Sequence, residues 1–113
     1  MEEILRLAER LGKAIADSTQ AQKLRQVRAS LAEKKDIEEL LDQYRQQADK
    51  IARLQAENSP VEVDDKHKLE QLSDKLAASD VFKQFTAAQV DYIDLMRKVN
   101  EALSGQLADT EAG

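Results

Sequence analysis

Apolar residues recur every three or four positions along almost the whole chain, and no stretch alternates strictly between apolar and polar residues as a half-buried strand does. This spacing places side chains on one face of an α-helix. The pattern is interrupted at "DSTQ" (17–20), "DIEE" (36–39), "ENSPVEVDD" (57–65) and "ASD" (78–80). We therefore predict an all-α fold, a helical bundle of about five helical segments, two of which are long and amphipathic.

The first two predicted helices meet at a helix-capping pattern. Thr19 is followed three residues later by Gln22, so Thr19 is expected to cap the second helix. The apolar face of the first helix consists of Ile4, Leu7, Ala8, Leu11 and Ile15, and that of the second of Leu24, Val27 and Leu31. These two faces predict two short amphipathic helices joined by a tight break.

The third and fifth helices each carry apolar residues spaced alternately four and three apart, which is typical of a heptad-like packing seam. Asp36 is expected to cap the third helix and Ser79 or Asp80 the fifth, with Gly105 as the end of the fifth. The seam positions are Ile37, Leu41, Tyr44, Ala48, Ile51 and Gln55 in the third helix, and Phe85, Gln89, Tyr92, Met96, Val99 and Leu103 in the fifth. The candidate core or oligomer-interface residues are Ile37, Leu41, Tyr44, Ile51, Phe82, Phe85, Tyr92, Met96 and Val99.

A length of 113 residues suits one domain with a small core. We predict a single helical domain over 1–105, with helical units at about 2–57 and 60–105 joined at 57–64, and a flexible tail over 106–113. Within the joint, two starts of the fourth helix are expected as alternatives. Either Ser59 caps the helix and Pro60 is its first residue, or the helix starts a turn later at Asp64 or Asp65. Both starts are compatible with its apolar stripe, Leu69, Leu72 and Leu76.

The net charge of −5 is confined to the second half of the chain. Residues 1–59 contain 11 basic and 11 acidic side chains, whereas residues 60–113 contain 6 and 11. An acidic surface repels phosphate, so no direct nucleic acid partner is expected. There are no cysteines, which excludes disulfides and thiolate ligands, and no apolar run is long enough to cross a membrane. The expected location is the cytoplasm, without membrane attachment.

The candidate chemistry centres on His67, the single histidine. Asp64 and Glu70 lie one helical turn on either side of it, a spacing that would suit a metal enzyme. A carboxylate-bridged metal site in a helical bundle requires more histidines, however, and His67 falls opposite the Leu69, Leu72 and Leu76 stripe. The sequence also lacks phosphate-binding glycine motifs. We therefore expect no enzyme, no metal and no cofactor, and a cryptic metal enzyme that uses Asp64, His67 and Glu70 is an alternative hypothesis.

The order of these helices resembles the YlbF/YmcA family of small bacterial helical proteins. Three segments carry the resemblance: "LAERLGKAIADS" (7–18), "DIEELLDQYRQQADKIARLQ" (36–55) and "SDVFKQFTAAQVDYIDLMRKVNEAL" (79–103). The last has the most specific framework, at Phe82, Phe85, Ala88 and Tyr92. The resemblance implies a non-enzymatic all-α bundle that forms homodimers or mixed oligomers.

Characterised members of that family are regulators of competence, sporulation and biofilm formation and are linked to messenger RNA processing by ribonuclease Y. Some use cysteines to hold iron-sulfur clusters, a property that this cysteine-free chain does not carry over. The resemblance therefore implies a regulatory or adaptor protein that is a homodimer or a hetero-oligomer with related helical proteins. The alternative hypothesis is a prefoldin-like or coiled-coil structural scaffold.

Overall fold

The computed structural model describes residues 2–111 and contains five α-helices and no β-strand in that range. This confirms the predicted all-α class and the number of helices. The helices are α1 (Glu2–Ala16), α2 (Thr19–Glu33), α3 (Lys35–Ala56), α4 (Val63–Ala77) and α5 (Asp80–Glu111).

Serine residues cap α2 and α5. The Ser18 Oγ accepts a hydrogen bond from the backbone N–H of Ala21 at 3.1 Å, and the Ser79 Oγ accepts one from Phe82 at 3.3 Å. The prediction of Ser79, one of two alternatives, is confirmed. Thr19 as the cap of α2 is wrong by one residue, because its hydroxyl instead donates to its neighbour Gln20.

Helix α3 begins and ends differently from the prediction. Its N-cap is Lys34, without a side-chain hydrogen bond, so the predicted cap at Asp36 is wrong and this acid lies within the first turn. At the other end Asn58 adopts a left-handed conformation with φ of 56°. The N–H of Asn58 donates to the Gln55 carbonyl, and that of Ser59 to the Leu54 carbonyl, which together form a Schellman motif.

The loop after α3 determines where α4 starts. Ser59 is engaged at the end of α3, so it does not cap the next helix, and Pro60 lies in the loop outside any helix. Helix α4 begins at Val63, with Glu62 as an extended N-cap that makes no side-chain hydrogen bond. The early start at Ser59 is therefore wrong, and the observed start lies one residue before the later alternative.

Helix α5 continues through Gly105 to Glu111, so the predicted stop at Gly105 is wrong. A glycine ends a helix when it adopts a positive φ, and no glycine in the described range does so. The segment 106–111 is helical. Residues 112–113 of the predicted tail lie outside the described residues, and the flexibility of the tail stays a prediction.

The chain divides into two compact units. Unit 1 contains α1, α2 as far as Val27, and α5 from Thr86 onward; unit 2 runs from Arg28 to Phe85. The predicted joint at 57–64 lies inside unit 2, where α3 packs against α4. This grouping differs from the predicted helical units, because the turn at Asn58 brings α4 back onto α3. The single-domain organisation stays a prediction.

Each unit has a small core. The buried residues of unit 1 are Ala21, Leu24, Val27 and Ala88, and those of unit 2 are Leu31, Gln47, Leu72, Leu76 and Phe85. The predicted stripes of α2 and α4 thus face inward. In unit 2 the rings of Phe82 and Phe85 stack with centroids 6.4 Å apart.

Most positions of the predicted seams in α3 and α5 are covered. The half-buried ones are Ile37, Leu41, Tyr44, Ala48 and Ile51 in α3 and Tyr92, Met96 and Val99 in α5, and Phe85 is buried. Gln55, Gln89 and Leu103 are exposed. Neighbouring positions that the seams left out are also buried or half-buried: Leu40, Gln47 and Leu54 in α3, and Ala88 and Leu95 in α5. The covered face of each helix is therefore wider than a heptad seam.

Candidate interaction surfaces

The apolar face of α1 is exposed to solvent along most of its length. Ile4 is 67% exposed, Leu7 56% and Leu11 36%, whereas Ile15 at the end of the helix is half-buried. No residue of α1 is buried. The sequence predicted this face correctly as one amphipathic stripe, but within the single chain it is not covered.

The distal half of α5 presents a second apolar stripe in unit 1. Tyr92, Met96 and Val99 are half-buried, while Leu103 and Leu107 further along the same face are 47% and 45% exposed. Beside this stripe lies a shallow, mainly apolar groove of about 490 Å³, lined by Tyr92, Ile93, Met96, Arg97, Asn100, Glu101 and Ser104. Unit 1 therefore carries two helical apolar faces that the chain leaves largely in water.

The connection between α1 and α2 is held by side chains of α2, and we call residues 15–25 the α1–α2 corner. Arg25 Nη2 donates to the Ala16 carbonyl at 2.7 Å, and Gln22 Nε2 donates to the Asp17 carbonyl at 2.8 Å. The hydroxyl of Ser18 donates to the Ile15 carbonyl. The carbonyl groups of the last two residues of α1 and of Asp17, which follows them, thus receive side-chain donors from residues 18–25.

Charged residues form a network on α5 next to the apolar stripe. Asp94 pairs with Arg97 at 2.8 Å and with Lys98 at 3.1 Å, and Arg97 also pairs with Glu101. The hydrogen bond from Arg97, and to a smaller extent that from Lys98, lowers the pKa of Asp94. The hydrogen bonds that Arg97 donates to Asp94 and Glu101 raise the pKa of Arg97. These shifts hold the groups in their charged forms, which suits ion pairing and not proton transfer.

A polar contact joins α3 to α4 inside unit 2. Gln47 is only 5% exposed, and its Nε2 donates to the Asp65 backbone carbonyl at 2.9 Å. Lys50 Nζ lies 2.9 Å from Asp65 Oδ1, and the Asp65 side chain is 13% exposed. The hydrogen bond from Lys50 lowers the pKa of Asp65 below its ordinary value of 3.8, against the opposing effect of partial burial. Nothing in the sequence predicted this contact beyond the types of its residues.

The nine candidate core or interface residues fall into both units. Tyr92, Met96 and Val99 lie in unit 1 and the other six in unit 2. Phe85 is buried, and the remaining eight are half-buried: Ile37, Leu41, Tyr44, Ile51, Phe82, Tyr92, Met96 and Val99. The sequence analysis did not select Ile4, Leu7 and Leu103 as interface residues, although their spacing placed them on apolar faces, and it assigned Leu107 to the flexible tail. That any of these nine residues contacts a partner stays a prediction.

His67 is exposed, as its position opposite the α4 stripe predicted, and so are Asp64 and Glu70. Among the described residues, no group of three or more histidine, cysteine or acidic side chains could hold a metal ion. No helix within 2–111 is sufficiently long and apolar to cross a bilayer.

Comparison with known proteins places these features in a family. The family model described as control of competence regulator ComK, YlbF/YmcA, matches residues 4–108. This description is that of a regulator and not of an enzyme. The match confirms the resemblance drawn from the three sequence segments. No curated protein and no solved structure matches the chain significantly.

Proposed function

Since this chain belongs to the YlbF/YmcA family of competence regulators, we propose that it is a non-catalytic regulatory protein that acts by binding other proteins, and first of all a second copy of itself. The exposed apolar faces of α1 and distal α5 are the self-association surface. Cytoplasmic location and mixed oligomers with related helical proteins belong to the same proposal.

The exposed apolar side chains of unit 1 carry this proposal. Ile4 and Leu7 of α1 are 67% and 56% exposed, and Leu103 and Leu107 of α5 are 47% and 45% exposed. An apolar face that stays in water is typical of a protein-interaction site. A second copy of the chain supplies an apolar face of the same kind to cover it.

The self-association surface lies on α1 and α5 in this proposal, in place of the α3 and α5 seams. Helix α3 is half-buried against α4, so its seam residues already have neighbours inside unit 2. Ile4, Leu7 and Leu11 recur at helical spacing and remain in water. Such a stripe packs well against the similar stripe at Leu103 and Leu107, because both present leucine-sized side chains at intervals of one turn.

Light scattering after size exclusion tests the proposal on the parent chain and two variants. Leu7→Asp and Leu103→Asp each place a charge in the proposed surface, where burial without a partner is costly. We expect a dimer for the parent and monomers for both variants at micromolar concentration. Arg10→Asp is the matched control, since it puts the same side chain on the exposed polar face of α1.

A parent that elutes as a monomer of 12.7 kDa at every concentration contradicts self-association. A dimer that survives both aspartate variants contradicts the assignment of the surface. Pull-down of related helical proteins by the parent, but not by Leu7→Asp, extends the proposal to mixed oligomers.

A further inference from the structure

The α1–α2 corner lies at the end of a helix that has no buried residue of its own. Carbonyl groups in the last turn of a helix lack partners within that helix. They usually bind water or accept hydrogen bonds from the N–H groups of a glycine-containing turn after the helix. Here Ala16 and Asp17 receive side-chain donors from Arg25 and Gln22, two helical turns and one turn into α2. The end of α1 is thereby tied to the body of α2.

The dependence of α1 on this corner follows from its burial. No residue of α1 is buried, and only Ile15 is half-buried. Hydrophobic packing therefore contributes little to holding the rest of α1, and the hydrogen bonds at its end carry much of the constraint on its direction. Arg25 is suited to this task because its planar guanidinium holds its N–H donors in a rigid geometry, so that less conformational entropy is lost when a hydrogen bond forms.

We propose that Arg25 and Gln22 are positioning residues for self-association: they hold α1 in the direction that presents its apolar face to a second copy of the chain. This inference rests on the proposed function. An arm that is already ordered loses less conformational entropy on binding than one that moves freely, so the dimer is tighter when the corner is intact. The side chains act through α1 and do not themselves touch the second copy.

The dissociation constant of the dimer, measured by sedimentation equilibrium, tests the inference. We expect Arg25→Ala to raise it about tenfold and the double variant with Gln22→Ala to raise it further, as each lost constraint adds ordering entropy. Arg25→Lys keeps the charge and a donor group, so it should restore part of the affinity. Arg28→Ala, an exposed arginine one turn further along α2, is the matched control and should bind as the parent does.

A distance measurement separates positioning from a general loss of structure. Because the chain has no cysteine, spin labels can be attached at Glu9→Cys and Lys23→Cys alone, in the background of Leu7→Asp to keep the protein monomeric. The distance distribution between the labels should broaden when Arg25→Ala is added, while the far-ultraviolet circular dichroism stays constant. A distribution equally narrow with and without Arg25 overturns the inference.

The outcomes distinguish this inference from the proposed function. If Leu7→Asp disrupts the dimer but Arg25→Ala binds as tightly as Arg28→Ala, α1 docks without help from the corner and the inference fails alone. If the parent itself never dimerises, the proposed function fails. Equal weakening by Arg25→Ala and Arg28→Ala points to charge as the cause and also overturns the positioning role.

Discussion

Replacing Leu76 with alanine should remove a large part of the stability of unit 2. Leu76 is 3% exposed in α4, in the same small core as Leu72 and Phe85. The substitution removes three carbon atoms, worth about 0.8 kcal/mol each in transfer free energy, and leaves a cavity that adds to the loss. We therefore expect the free energy of unfolding to fall by about 3–4 kcal/mol, from a total on the order of 5–15 kcal/mol for a domain.

Urea unfolding followed by far-ultraviolet circular dichroism measures this change, at protein concentrations low enough to keep the chain monomeric. The dependence of the free energy on urea should stay equal to that of the parent, so that the midpoint alone reports stability. Leu103→Ala is the matched control, because it removes the same atoms from a side chain that is 47% exposed. It should cost about 1 kcal/mol or less, since half of that surface is already in water.

Two results would refute this reasoning. One is a loss of less than about 1 kcal/mol for Leu76→Ala, which would mean that the site is not packed as described. The other is an equal loss for both variants in the monomer, which would mean that burial does not distinguish α4 from distal α5. If the loss for Leu103→Ala grows with protein concentration, the cause is the dimer and not the fold of the chain.

Three further predictions concern the turns and the contact between α3 and α4. Asn58→Val should cost about 1–2 kcal/mol, because a β-branched residue is strained at the positive φ, while Asn58→Gly should be neutral or slightly stabilising. Ser79→Ala should cost about 1 kcal/mol, since it removes the hydroxyl oxygen that accepts a hydrogen bond from the Phe82 N–H. Lys50→Gln should reduce the acid sensitivity of the fold, because Lys50 lowers the pKa of Asp65 in the folded protein. The stability that this lowered pKa contributes is fully present at a pH above 3.8, the pKa of the unfolded chain, and is lost as the pH falls through the lower pKa of the folded state.

Each of these has its own measurement and control. Urea midpoints rank the Asn58 variants, and equal values for valine and glycine would contradict the left-handed turn. Ser73→Ala, an exposed serine within α4, is the control for Ser79→Ala, and an equal loss at both would contradict the capping role. For Lys50→Gln, melting temperatures between pH 6 and pH 3 are compared with those of Lys35→Gln. Identical pH dependence in both variants and the parent would exclude the ion pair as a source of acid sensitivity.

The spacing of apolar residues was sufficient to predict the helices because burial of one face is what stabilises each of them. Leu24, Val27, Leu72 and Leu76 were all placed correctly inward from periodicity alone. Boundaries were less predictable, because several residues near each break could serve as caps. Ser18 and Thr19 have equivalent hydroxyl groups, and only the path of the backbone decides which one reaches a free N–H.

The candidate surface was predictable in part. The sequence identifies the apolar face of α1, but it does not say whether that face meets the same chain or another, since Leu7 has the same hydrophobicity in either case. The roles of Arg25 and Gln22 could not be predicted, because their acceptors are backbone carbonyls that every residue carries. Gly105 gave a false stop for a related reason: glycine permits a positive φ but does not require it.

The buried amide of Gln47 has a consequence for the uniqueness of the fold. Leucines repeated at intervals of one turn allow two helices to slide past each other by a turn while keeping most of their apolar contact. Sliding α4 along α3 would separate Gln47 from the Asp65 carbonyl at 2.9 Å, and would leave a polar amide in an apolar interface without a partner, which costs about 1–3 kcal/mol. Gln47 thus selects one register of α3 on α4, and its replacement by leucine should permit several registers at little cost in helix content.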